Sequence, residues 1–330
     1  MPEQPAVTLG VVDSWASVTL AAEGLQATFL PGLGMVATSL QFEGDEYLSF
    51  GGTEGYAQGH TTGIPILHPW ANRLRSTTYK AAGVSVDLAH SQAWHPDGNG
   101  LPIHGVLTAE SGWQVLRVAA DAKAAAVVAR FDFADRDDLM TAFPFAHVVE
   151  VEARVERILP APRGRSGLPR ARLVIATTVR ATGRRRVPVA FGWHPYLRLP
   201  GMKRADTRLV LPGRDHLVLD EQQLPTGASN REAAEHDPLG KRTFDDAYRL
   251  GRDRRLALEG GGRRLTVEFD RNYPWAQVYA PVPTSPSNWF VCLEPMTAPV
   301  GALSTDETPF VVPGGQFTAR FSVSIGGGPS

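Results

Sequence analysis

The sequence predicts an all-β chain built as a large antiparallel sandwich, and three observations predict it. Apolar and polar residues alternate with period two at many places along the chain. Amphipathic helical stripes are hard to find. Glycine (33) and proline (26) punctuate the strand patterns without reaching low-complexity levels. Alternation is what an antiparallel strand shows when one face meets a core and the other meets water. Gly and Pro supply the turns between such strands. At 330 residues, about 150 per domain suggests two domains. A single large sandwich covering residues 1–330 absorbs the same length, and strands running from end to end favour it over two α/β domains.

Taken in chain order, β-rich runs at 7–12 and 17–20 open the chain. Segment 121–129 is Ala-rich and short, and its Val127-Val128 pair suits a strand as well as a helix. In 149–156, Val149, Val151, Ala153 and Val155 alternate with Glu150, Glu152, Arg154 and Glu156. Segment 160–172, P-A-P-R-G-R-S-G-L-P-R-A-R, reads as a solvated hairpin connection, or alternatively as a basic partner-binding loop. Strand runs resume at 173–179 and 187–191. The polar stretch 226–241 reads as loop or short helix. Leu265, Val267 and Phe269 alternate with Thr266 and Glu268, and runs at 277–280 and 289–293 follow. In 317–325 every odd position is apolar and every even one polar, apart from the small Ala319 being counted with the apolar set. No repeat of fixed length emerges, which argues against solenoids and propellers.

Composition narrows the function classes. Hydrophobic residues form 43% of the chain and charged residues 20%, so a sizeable core is available. A net charge of −1 leaves no global field to draw the chain onto nucleic acid or an anionic membrane. The single cysteine, Cys292, excludes an intrachain disulfide and cysteine-based zinc or iron–sulfur centres. No basic segment followed by an apolar one opens the chain, and no apolar run has membrane-spanning length. The expected setting is the reducing cytoplasm. The expected partner is a small molecule, with the chain a monomer or homodimer.

Common catalytic signatures are missing: no G-x-S-x-G, no phosphate-binding P-loop, no G-x-G-x-x-G after a strand. His60, His68, His90 and His95 fall in a loop-rich region, where surface or turn positions are expected rather than a metal site. Four stretches set rare polar residues beside Pro, Gly or aromatics. In His68-Pro69-Trp70-Ala71-Asn72-Arg73, the Asn-Arg pair can bond several hydroxyls at once, or Arg73 can form a structural salt bridge. In Leu101-Pro102-Ile103-His104-Gly105 and Phe191-Gly192-Trp193-His194-Pro195-Tyr196, each histidine ends an apolar run, as a cleft-facing residue or as a satisfied core histidine. In Trp289-Phe290-Val291-Cys292-Leu293-Glu294-Pro295, Glu294 ends an apolar strand run. Burying an unpaired carboxylate is very costly, so it needs a catalytic role or an arginine partner. Alternation puts Phe290, Cys292 and Glu294 on one face.

Together and in this order, A-N-R, H-G, H-P-Y, F-D-D-A-Y and L-E-P-M-T-A-P resemble the aldose 1-epimerase (mutarotase) family, over most of the chain. The resemblance implies a galactose mutarotase-like β-supersandwich that needs no cofactor and no metal. Its cleft crosses one sheet. By position, His194 matches the general acid and Glu294 the general base. His104 matches a second substrate-site histidine, and Arg73 with Asn72 the group that holds sugar hydroxyls. Asp245 matches the sugar-binding aspartate, with Asp246 one position away. The chain has His104-Gly105-Val106 where many members have H-G-G, and Gly301-Ala302-Leu303 where many have Asn. Gly192-Trp193 precedes the middle motif in place of an Asn-rich segment. These departures leave acid and base in place and the preferred sugar open.

Two other functions compete. A hexose-6-phosphate epimerase would need cations for the phosphate, for which Arg75 and the run Arg184, Arg185, Arg186 are candidates, unless these are exposed turn charges. A non-catalytic carbohydrate-binding domain is the other. The presence of both acid and base disfavours it.

Overall fold

The computed structural model describes residues 4–158, 168–285, 288–305 and 307–327. Three larger antiparallel sheets carry the fold. The first is five-stranded and consecutive: Ala6–Val12, Trp15–Ala22, Leu25–Leu30, Val36–Phe42 and Asp45–Glu46. The second has nine strands in the order Gln114–Ala120, Ala124–Asp132, His147–Arg157, Ala171–Ala181, Gln316–Gly327, Arg263–Phe269, Arg255–Gly260, Arg208–Leu211 and Glu235–Pro238. The third has eight. Pro225–Glu232, Arg214–Leu219, Phe244–Leu250, Trp275–Ala280, Val291–Met296, Gly192–Trp193 and Ile66–Leu67 lie side by side, and Tyr196–Leu197 pairs with Val291–Met296.

The alternating runs behave as their patterns require. Along His147–Arg157, Val149, Val151, Ala153 and Val155 are fully buried while Glu150, Glu152, Arg154 and Glu156 are only partly covered. Each such valine contributes roughly 1.5–3 kcal/mol when taken out of water. One hydrophobic cluster collects side chains from all three sheets, among them Phe29, Val151, Ile175, Trp193, Val278 and Phe321. Trp193 donates its indole N–H to Thr177 Oγ1 at 2.9 Å, which satisfies its polar edge inside that core.

Local expectations change in four places. The Ala-rich segment is a strand, Ala124–Asp132, paired on both sides. The polar stretch 226–241 is largely strand rather than loop or helix: Pro225–Glu232 closes one edge of the eight-stranded sheet and Glu235–Pro238 one edge of the nine-stranded sheet. Both are mostly exposed and held by backbone pairing, so no apolar period marks them. The run at 187–191 shrinks to Val187–Pro188, while the run at 289–293 starts later, at Val291, and continues through Glu294 and Pro295. Of the segment 160–172, residues 160–167 lie outside the described residues, and Ala171 already opens a strand.

The pairing between Val291–Met296 and the chain at 192–197 is interrupted, and that gap positions the site. Gly192 pairs with Met296, and Tyr196 and Leu197 pair with Cys292 and Val291. Between them His194 turns to the other side and donates its backbone N–H to Pro65 O at 3.1 Å. Pro195 and Pro295, one on each chain, have no N–H to bridge the gap.

Gly105 fixes the neighbouring loop. Its φ is +74°, and a Cβ there would lie 2.2 Å from the carbonyl oxygen of His68, which accepts the N–H groups of Val106 and Leu107. Gly105→Ala should therefore cost more than about 3 kcal/mol, because backbone and not a movable side chain blocks it. Gly44→Ala is the control: it has φ +87° and open space around its Cβ. It should cost only about 1–2 kcal/mol. Urea unfolding of both variants checks this, and equal losses would mean that the His68 contact is not what demands glycine.

Candidate active site

The gap in the eight-stranded sheet brings His194 and Glu294 together, with Nε2 and Oε1 3.2 Å apart. Both side chains are nearly sealed off, at 6% and 1% exposure. His194 is held flat: the Tyr196 ring stacks on it with centroids 4.5 Å apart and 13° between planes. Tyr196 in turn shares a 2.7 Å hydrogen bond between its hydroxyl and that of Thr61. His104 meets His194 edge-on, with ring centroids 5.2 Å apart.

Asn72 and His104 are brought into the same corner by two backbone bends. Both have left-handed φ, 55° and 63°, and the His104 N–H donates to Asn72 O at 2.9 Å. That conformation is uncommon outside glycine, and Asn and His are among the side chains that adopt it most readily. Arg73 lies beside them and is aimed by carboxylates on two sides. Its Nε donates to Asp97 Oδ2 at 2.6 Å, its Nη1 donates to Asn72 Oδ1 at 3.1 Å, and its Nη2 is 3.7 Å from Asp245 Oδ2. Asp97 is itself fixed by the backbone N–H groups of Asn99 and Leu101. Gln277 Nε2 donates to Asp245 Oδ1 at 2.7 Å and sits opposite Glu294 in the strand register.

All six residues singled out in the sequence thus converge: Asn72, Arg73, His104, His194, Asp245 and Glu294. Asp246 does not join them, because strand alternation sends it to the other face, where its Oδ1 is 3.2 Å from His216 Nε2. Three contributors went unnoticed in the sequence. Asp97 lies in the turn Asp97-Gly98-Asn99-Gly100 and reads as a turn-former. Gln277 is found only through the pairing of two strands. Tyr196 belonged to a quoted motif but had no role. His68 departs from expectation: it is buried, not at the surface or in a solvated turn. Its Nε2 lies 2.7 Å from His147 Nε2, and His147 Nδ1 bonds Phe145 O at 2.6 Å, within a cage that includes Phe133 and Phe143. Among the described residues, no group of three or more His, Cys, Asp or Glu side chains could hold a metal ion. No described helix is long and apolar enough to cross a membrane.

Burial governs the electrostatics. It pushes the Glu294 carboxyl well above the usual carboxylate range, Asp245 adding to the effect and Arg73 opposing it. Burial and the neighbouring His104 hold His194 well below the ordinary imidazole value. Burial and Arg73 bring His104 down to about 3. Burial thus favours the uncharged form of each partner, the protonated carboxyl of Glu294 and the neutral imidazole of His194, and at neutral pH His104 is an uncharged donor or acceptor. Buried polar atoms are left over on this face: His104 Nδ1, His194 Nδ1, Glu294 Oε2 and Gln277 Oε1 make no hydrogen bond among the described residues. Such a set is costly unless something polar satisfies it.

The aldose 1-epimerase family profile matches residues 16–324. Solved structures share the fold. A galactose mutarotase-like protein from Clostridium acetobutylicum superposes with a TM-score of 0.80 at 16% identity, covering 98% of each chain. The galactose 1-epimerase of Lactobacillus acidophilus NCFM gives 0.74 at 15% identity, over 99% of this chain and 100% of that one. A protein of Escherichia coli K12 described as a putative aldose 1-epimerase gives 0.69 at 18%, over 97% and 99%. Among curated proteins no sequence matches the chain.

The raised Glu294 value sets a sign for stability against pH. A carboxyl whose folded pKa exceeds its unfolded one contributes stability below about pH 4.5 that is lost as pH rises through the folded value. Glu294→Gln removes that loss. The variant should gain stability relative to the parent as pH rises from 5, by at most about 1.4 kcal/mol per pH unit, and then level off. Urea titrations from pH 5 to 9 measure it. A difference that stays constant over that range would show that Glu294 is already ionised in the fold.

Proposed function

Given that the chain belongs to the aldose 1-epimerase family, we propose that it interconverts the α and β anomers of a free aldose, with His194 as acid and Glu294 as base. The observation that carries this reading is the 3.2 Å pair. Anomerisation breaks a hemiacetal, whose ring oxygen and anomeric hydroxyl are bonded to the same carbon. An acid and a base that serve those two oxygens have to be neighbours, and these two are.

The proton count fits. Ring opening starts from the arrangement of the pair in which His194 carries the proton and Glu294 is a carboxylate. Glu294 takes the anomeric hydroxyl proton while His194 gives one to the ring oxygen, and the C1–O5 bond breaks. The aldehyde turns about the C1–C2 bond. Reclosure on its other face returns each proton by the same route. The open-chain stage has neutral His194 and protonated Glu294, which is the arrangement that burial favours, so the site matches the charge state of the intermediate. No proton is gained or lost over the cycle, and no metal or covalent intermediate is needed. Asn72, Arg73, His104 and Asp245 hold the hydroxyls, with Asp97 and Gln277 fixing Arg73 and Asp245.

The phosphate-binding alternative finds less support. Arg75 donates to Pro225 O at 3.0 Å, and Arg186 covers the Phe310 ring at 4.0 Å, so two of its candidate cations have other work.

Freshly dissolved α-aldoses, followed by optical rotation against the spontaneous rate, test the activity. Glu294→Gln and His194→Asn should each lower kcat by about 10²–10⁴-fold with little change in KM. The double variant should be little worse than the poorer single one. Arg73→Ala should raise KM strongly while the protein stays folded. Near-normal kcat in Glu294→Gln would end the acid–base assignment. An unchanged KM in Arg73→Ala would return that residue to a purely structural salt bridge.

A further inference from the structure

We propose that the pocket formed by Arg198, Lys203 and Trp289 is a second binding site, for the phosphate group of a small phosphorylated metabolite of sugar size. The pocket is an open depression of about 510 Å³, within the range of small-molecule sites and well beyond what a bare oxyanion fills. Two cations line it, and neither side chain makes an ion pair or hydrogen bond among the described residues. Arg198 Nε is buried and lacks any partner, in a protein where most arginines near a carboxylate are paired with it. A guanidinium left unpaired in a concave site is set up for a planar, charge-assisted contact with phosphate.

The one acid in the wall, Glu46, is already engaged. Its carboxylate accepts Ser39 Oγ at 2.5 Å and the backbone N–H groups of Leu40 and Leu48 at 2.9 Å each, so the cations are not its partners. The walls are also braced. Trp289 Nε1 donates to Met202 O at 3.1 Å, and Arg263 ties Pro200 O at 3.0 Å while its other nitrogen holds Asp45. Met202, Pro200 and the Trp289 edge supply an apolar side for the body of the ligand.

None of Asn72, Arg73, His104, His194, Asp245 and Glu294 lines this pocket, so its walls are not those of the acid–base site.

Titration at constant ionic strength with inorganic phosphate, glucose 6-phosphate and glucose tests the site, by calorimetry and by tryptophan fluorescence, each with and without a saturating free aldose. Saturable binding of glucose 6-phosphate that survives the free aldose is expected, with inorganic phosphate weaker and glucose silent in this pocket. Arg198→Gln should weaken it by at least about tenfold. Lys203→Gln, an exposed position that does not threaten folding, should weaken it severalfold. Trp289→Phe should lose the fluorescence response while heat of binding persists, and basal anomerisation should be unchanged in both cation variants. No saturable binding at tens of millimolar, binding abolished by the free aldose, or binding unaffected by either cation variant overturns the proposal. Binding of inorganic phosphate as tight as that of the sugar phosphate overturns the sugar-sized ligand and leaves a free-phosphate site.

Discussion

Placing a carboxyl group 1% exposed at the centre of an eight-stranded sheet is the constraint on which the rest of the site depends. An isolated carboxylate there would cost several kcal/mol in lost hydration. It is tolerable because the proton can sit on either Glu294 or His194, so the pair is neutral in one arrangement and mutually compensating in the other. That sharing requires contact, and contact requires the ladder between the two chains to open. Two prolines at the opening, with the His194 backbone diverted to Pro65, make the opening permanent. The Tyr196 stack then prevents His194 from turning away.

The fold was legible where water and core compete across a strand. Residues 149–156 and 317–325 announce their inward faces because each has one wet and one dry side. The Ala-rich strand Ala124–Asp132 is ambiguous in sequence because small residues fit either backbone, and only its two neighbours decide it. Edge strands such as Pro225–Glu232 are illegible for the opposite reason. With water on most of their surface they need no apolar period, and their pairing is written in backbone groups that every residue carries.

The site divides in the same way. Residues inside short motifs, His194 and Glu294 above all, stood out because a polar group ending an apolar run demands an explanation. Asp97 and Gln277 did not, since each acts through a partner far away in sequence: Asp97 through Arg73, and Gln277 through Asp245. Strand register also separates Asp245 from Asp246, a choice the sequence left open. Adjacent residues on a strand point to opposite faces, so one meets Arg73 and Gln277 while the other meets His216.

Left-handed backbone and orphaned polar atoms meet at this face. Asn72 and His104 hold left-handed φ where few side chains do, and His104 Nδ1, His194 Nδ1, Glu294 Oε2 and Gln277 Oε1 lack partners. A sequence selected for stability alone would have relieved both, with glycine at the bends and apolar residues at the orphans. The same bends set Arg73 between Asp97 and Asp245, and the same orphans are the groups a polyhydroxylated ring could satisfy all at once. The core shared by all three sheets thus carries a face whose polar groups are kept dry, aimed and unsatisfied.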